Sequence, residues 1–150
     1  MEGREFAVET VLAPVDGTEE SAAAVEYAVA VAERYDAVVH ALYVLGRGVV
    51  RGIDAGTVDE EEVAETARSF LEEVEEVGAE RDVAVSTSTV QGFSPTIKTR
   101  HPGSVVLDSA DAVGADFVVL PRESATDAPE VLERAAEYVL AYASQPVLSV

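Results

Sequence analysis

A chain of 150 residues is long enough to enclose one hydrophobic core and short for two. It contains no cysteine, which excludes disulfides, thiolate metal sites and cysteine nucleophiles. Twenty-nine acidic residues against ten basic ones give a formal net charge of −19, so the surface repels nucleic acid and anionic membrane.

Lys98 is the only lysine among those ten basic residues. A hydrophobic content of 48% in periodic order argues against disorder. The composition therefore reads as a folded protein adapted to high intracellular salt, where self-repulsion is screened over a few ångströms. Met1-Glu2-Gly3-Arg4-Glu5 is charged and leads straight into strand-like sequence, with no secretory leader and no apolar run of membrane-spanning length. The expectation is one cytoplasmic domain over 1–150.

From Phe6 to Val15, β-branched and apolar residues predict a buried strand. Thr18 follows as an N-cap, with Glu19 and Glu20 in the first turn of a helix that runs to about Tyr35. Its small apolar residues (Ala22, Ala23, Ala24, Val25, Ala28, Val29, Ala32) suit close packing on a sheet. Ala37 to Val44 predicts the second strand. Leu45 to Val58 holds Gly46, Gly48, Gly52 and Gly56 without a sustained period and reads as a long connection.

Asp59 with Glu62 forms a capping-box pattern ahead of a helix whose stripe is Val63, Ala67, Phe70, Leu71, Val74 and Val77, ending at Gly78. Val83, Val85, Thr87 and Thr89 alternate as a third strand. After Gly92, an irregular stretch containing Pro95 leads to Pro102 and a short helix closed by Gly114. Phe117-Val118-Val119-Leu120 is a wholly apolar strand. Asp127 caps a last helix, with Pro129 in its first turn and Glu130 at the capping-box position. Its buried face runs from Val131 and Leu132 to Ala143, and Val147 to Val150 closes the chain as a strand. The sum is an α/β chain of five strands alternating with four helices, one open parallel sheet with helices on both faces. Right-handed crossovers gather the loops that begin at Asp16, Val44, Val90 and Pro121 on one edge.

Asp16, beside Gly17 and a helix N-terminus, fits either an acceptor for ribose, base or a divalent ion, or a carboxylate that satisfies helix N–H groups. His40 lies within a strand and reads as a hydrogen-bonded interior histidine. His101, in a loop, can approach the ligand edge. Two histidines and no cysteine give no zinc site. Ser21, Ser94, Ser104 and Ser124 lack the glycines of a nucleophile elbow, and neither a GxGxxG fingerprint nor a P-loop is present. No aspartate follows Val44 or Val90, which argues against a phosphoacceptor domain. From Pro121 to Glu133, Glu123, Asp127, Glu130 and Glu133 are offset only by Arg122, so a helix N-terminus there already has acids where a phosphate would sit. The uncharged terminal strand Val147-Leu148-Ser149-Val150 invites pairing with a second copy in a two-fold dimer.

In this order, the signals resemble the universal stress protein family. The resemblance rests on Val11 to Ser21, on His40-Ala41-Leu42-Tyr43-Val44, on His101-Pro102 through Leu120, and on Gln145-Pro146-Val147-Leu148-Ser149-Val150. It implies a Rossmann-like sheet of order 3-2-1-4-5, a cytoplasmic protein and a homodimer through the last strand. In the ATP-binding branch, the aspartate matching Asp16 and the backbone matching Ala41 contact the nucleoside. The phosphates lie on a Gly-x-x-Gly, nine residues, Gly-Ser/Thr motif. Pro121 and Ser124 stand at the first two glycines, and Glu133, Arg134 and Ala135 stand near the last pair. The resemblance therefore implies a non-enzymatic stress-response or signalling protein of the non-ATP-binding type, without catalytic residue, metal or cofactor. Its alternatives are a sensor of AMP or ATP with magnesium, bound by Pro14, Asp16, Gly17, Ala41, Pro121 and Arg122, and a weak hydrolase using Asp16 and His101. Gly92 to Arg100 exceeds the compact connection of the family and is placed to cover the pocket or serve an interface.

Overall fold

The computed structural model describes residues 7–91, 101–121 and 131–150. Its elements in chain order are β1 (Thr10–Val15), α1 (Glu19–Tyr35), β2 (Val38–Leu45), α2 (Arg47–Ala55), α3 (Glu60–Glu80), β3 (Val85–Gln91), α4 (Pro102–Val113), β4 (Phe117–Leu120), α5 (Val131–Tyr142) and β5 (Val147–Ser149). The five strands form one parallel sheet of order β3-β2-β1-β4-β5, the order that the resemblance implies.

The near-continuous apolar strands follow from burial on both faces. Val11, Ala13, Val15, Val39, Ala41 and Tyr43 face one core, closed by α1 and α3 through Val25, Ala28, Val29, Leu71 and Val74. Leu12, Leu42, Val44, Val118 and Leu120 point the other way, beneath Val106 and Ala110 of α4 and Leu132, Ala136 and Val139 of α5. The alanines of α1 let its axis lie close to the sheet, and Ala28 and Ala32 are fully buried.

Asp116 fastens the start of the central strand. Its Oδ2 accepts the backbone N–H of Glu9 at 2.8 Å and of Thr10 at 3.0 Å, joining the segment before β4 to the entry of β1.

Leu45 to Val58 is not the long connection that its glycines predict. Most of it is α2, which begins after Gly46 and ends at Gly56 in the left-handed region with φ +77°. Gly48 and Gly52 each weaken a helix interior by about 1 kcal/mol, but Val50 is buried, and burial overrides local propensity. The backbone of Gly52 passes directly under the Val58 side chain, an approach that a larger residue would block.

Several boundaries shift by a few residues. The first strand starts at Thr10 rather than Phe6, and α3 passes through Gly78 to Glu80. The third strand starts at Val85, because the Val83 N–H turns back to the Gly78 carbonyl. The expected cap at Asp127, the residues Pro129 and Glu130, and the whole of Gly92 to Arg100 lie outside the described residues. Among the described residues no helix is long and apolar enough to cross a membrane.

Candidate functional site

The strand order reverses between β1 and β4, and parallel sheets open a crevice at such a point. Here the opening has a visible cause. β1 and β4 pair only at Val11 with Phe117 and Leu12 with Val118, although β1 continues to Val15 and β4 to Leu120. The Asp116 N–H donates to the Thr10 carbonyl, so even-numbered residues of β1 direct their backbone toward β4. Position 14 would direct the next N–H but one, and it is proline, which has none. The ladder stops there, two residues before Asp16.

Asp16 and Gly17 form the turn from β1 into α1. Asp16 Oδ1 accepts the Thr18 hydroxyl at 2.6 Å and the Thr18 N–H at 3.2 Å. Thr18 Oγ1 in turn accepts the Ser21 N–H at 3.1 Å, as the N-cap of α1. The fully buried Ser21 returns the contact, its hydroxyl donating to the Thr18 carbonyl at 2.9 Å. One carboxylate oxygen of Asp16 therefore serves the cap. Replacing Thr18 with alanine will lower stability by about 1 kcal/mol and release Asp16. Urea unfolding checks this, with Thr18→Ser restoring most of the loss.

Tyr43, two residues beyond Ala41 on the same face of β2, stands beside this turn. It is nearly buried, and its ring meets Phe70 of α3 edge-on, with centroids 5.9 Å apart. Gly17 has φ +84°, and a Cβ added there would lie 2.7 Å from the Tyr43 hydroxyl oxygen. Glycine thus serves both the backbone angle and the close approach. Burial, and then the negative charge of Asp16, raise the Tyr43 pKa above its ordinary value, so the phenol stays neutral. Beside Gly17 an open cleft of about 780 Å³ runs along α3, where Glu62, Glu65, Glu72 and Glu73 outnumber Arg68. That wall disfavours an anion.

Pro14 and Pro121 are buried at strand ends and Ala41 is buried in the middle of β2, while Asp16 is half-buried and Gly17 exposed. Arg122 lies outside the described residues. Asp16 and Gly17 are thus brought together with Tyr43, a residue that the motifs do not single out. Its signal was available only as the strand alternation that places it on the face of Ala41.

His101 does not stand as a lone loop histidine. It is the N-cap of α4, where Nδ1 accepts the Gly103 N–H at 2.9 Å and the ring stacks on Tyr138 of α5 at 4.7 Å. His40 is hydrogen-bonded within the sheet, as its position predicts, but it is half-buried rather than interior. Nδ1 lies 2.7 Å from Ser86 Oγ and Nε2 lies 2.8 Å from Ser88 Oγ, both across the β2–β3 pair. Burial lowers its pKa from the ordinary 6.5. The unfolded chain therefore takes the proton more readily. The stability linked to this residue is full above 6.5 and is lost as pH falls from there through the lowered folded value. Urea unfolding from about pH 8 to about pH 5 should show the wild type losing ground to His40→Gln as pH falls; parallel curves would contradict this. Among the described residues no cluster of three or more His, Asp or Glu side chains could hold a metal ion.

β5 occupies the far edge. Val147 packs toward the α4 and α5 core, whereas Leu148 and Val150 pack toward the α1 and α3 core. The Val118 N–H donates to the Pro146 carbonyl and the Val150 N–H to the Leu120 carbonyl. By alternation, the backbone groups of Val147 and Ser149 point outward. Ser149 Oγ is buried without a hydrogen-bond partner.

Comparison with known proteins agrees with this architecture. The universal stress protein family matches residues 7–150. The chain is 27% identical over 144 residues to the universal stress protein MJ0531 of Methanocaldococcus jannaschii, covering 93% of this chain and 80% of that one. The solved structure of UspA from Lactobacillus plantarum is similar with a TM-score of 0.72 at 19% identity, covering 96% of this chain and 98% of that one. A universal stress protein from Archaeoglobus fulgidus, solved in complex with dAMP, is similar with a TM-score of 0.64 at 16% identity, over 96% of this chain and 98% of that one. At such identities the two structures establish a shared fold, and with the family match over nearly the whole length, the chain belongs to the universal stress protein family.

Proposed function

We propose that the chain is a non-enzymatic, cytoplasmic, salt-adapted stress-response protein, one domain over 1–150, that works as a homodimer through protein contacts and holds no ATP. One observation carries this reading: no glycine follows Gly114, so the turn after β4 has no residue that lets backbone N–H groups close on a triphosphate. The partial engagement of Asp16 by Thr18 and the glutamate wall beside Gly17 support it. The dimer is assigned to the outward backbone of Val147 and Ser149, flanked by Leu148 and Val150.

A second reading has its own support. The opening of the sheet at Pro14 leaves room beside Asp16, and the A. fulgidus relative of the same fold was solved with dAMP. A nucleoside monophosphate asks less of a phosphate cradle than ATP does. In that reading Pro14, Asp16, Gly17, Ala41, Pro121 and Arg122 hold the nucleotide, and Asp16→Ala abolishes binding.

Protein purified and kept folded in molar potassium chloride, then extracted with acid, should release no adenine nucleotide. ATP incubated with it should be recovered unchanged. Release of AMP or ATP at one equivalent per chain would establish the second reading, and turnover of ATP would overturn both.

A further inference from the structure

We propose that the outer edge of β3, with the cleft between α2 and α3, docks an extended basic segment of a partner protein as an additional strand. The proposal rests on the reading that this protein works through protein contacts. β3 is an edge strand of seven residues, Val-Ser-Thr-Ser-Thr-Val-Gln. It has no charge, no proline and no glycine, and among the described residues no strand pairs with its outer edge. The opposite edge, β5, has only three residues.

The direction of the free groups follows from the ladder. The Val39 N–H donates to the Ala84 carbonyl at 3.0 Å, and β2 and β3 stay in register from Val39 with Val85 to Leu45 with Gln91. Backbone groups at 84, 86, 88 and 90 therefore face β2, and those of Val85, Thr87 and Thr89 face outward. Thr87 and Thr89 are exposed.

The side chains of those two threonines line a cleft of about 590 Å³, within the size range of specific binding pockets. Its floor is apolar, built from Val50 and Ile53 of α2 and Val63, Ala67 and Leu71 of α3. Its rim carries Asp54, Glu60, Glu72 and Glu75 against Arg68 alone. A strand added to β3 sends alternate side chains into this cleft. Lysine and arginine match it in both parts, with an aliphatic stem for the floor and a cationic head for the rim. At molar salt, charge acts only over about 3 Å, so main-chain bonding holds the strand and contact with the rim selects its composition.

The probe is the acetylated, amidated peptide Lys-Val-Arg-Val-Lys-Val-Arg, titrated into the isotope-labelled full chain in molar salt while amide resonances are followed. The largest shifts should fall on Val85, Thr87 and Thr89. Replacing the basic residues by glutamate, or N-methylating alternate peptide amides, should each weaken binding at least about tenfold. Thr87→Pro removes an outward N–H and no bond to β2, and should weaken binding by a similar factor. The double charge reversal Glu72→Lys with Glu75→Lys, at exposed positions of α3, tests the rim without touching the strand and should do the same. Absence of binding, equal binding of the N-methylated peptide, shifts centred on β5, or use of β3 for self-association would each overturn the docking site. ATP uptake by the wild type would overturn the functional reading beneath it, whereas an ATP-free dimer that ignores the peptide would overturn the docking site alone.

Discussion

Gly103→Ala will destabilise the protein by about 1–3 kcal/mol, through the seam where α4 crosses α5. A Cβ at position 103 would overlap Tyr138 Cβ and come within 2.7 Å of its Cγ and Cδ1. Tyr138 Cβ is tethered to the α5 backbone and cannot rotate away, so the helices themselves must separate. The same tyrosine carries the His101 ring on its face, and His101 caps α4 through Gly103. One methyl group therefore disturbs packing, stacking and cap together. A lowered urea midpoint checks the single variant. In a double-mutant cycle, Gly103→Ala should cost less on a Tyr138→Gly background than on the wild type, because only glycine at 138 removes the Cβ that the new methyl group meets. An unchanged midpoint for Gly103→Ala would show that the seam yields without cost.

Ser149→Pro should convert a homodimer into a monomer at tens of micromolar protein. Proline at 149 removes an outward N–H and leaves intact the bonds of Pro146 and Val150 to β4. The fold should persist in circular dichroism while light scattering reports half the mass. Loss of the buried, unpartnered Ser149 hydroxyl offsets part of any strain in the ring. A variant that stays dimeric would place the interface elsewhere, and a wild type that is monomeric would remove the dimer from the account.

The sheet was legible because its chemistry is redundant. Each buried strand is an apolar run, and Thr18, Gly114 and the small residues of α1 mark helix ends and faces independently. The order of strands came from resemblance rather than from periodicity, since apolar runs buried on both faces carry no label for their neighbours. α2 was hidden because Gly46, Gly48 and Gly52 weaken local propensity, whereas the burial of Val50 is a tertiary fact. Helix α3 was readable as one stripe, but the turn Arg81–Asp82 shifted the start of β3.

At the candidate site, Asp16 and Gly17 were visible as a strand end beside a capped helix. The sequence left open whether Asp16 serves the cap or a ligand; the structure shows one of its oxygens on Thr18. Tyr43 was missed because its contact with Gly17 joins two loops' worth of chain that no short motif spans. The capping and stacking of His101 were not legible for a related reason: stacking on Tyr138 depends on how α4 meets α5.

The most direct test is calorimetric titration of ATP, with and without magnesium, into wild-type protein held folded in molar salt. The account predicts no binding heat at tens of micromolar protein with a native circular dichroism spectrum. Stoichiometric binding would contradict it, and would show that a chain with no glycine after Gly114 can still cradle a triphosphate.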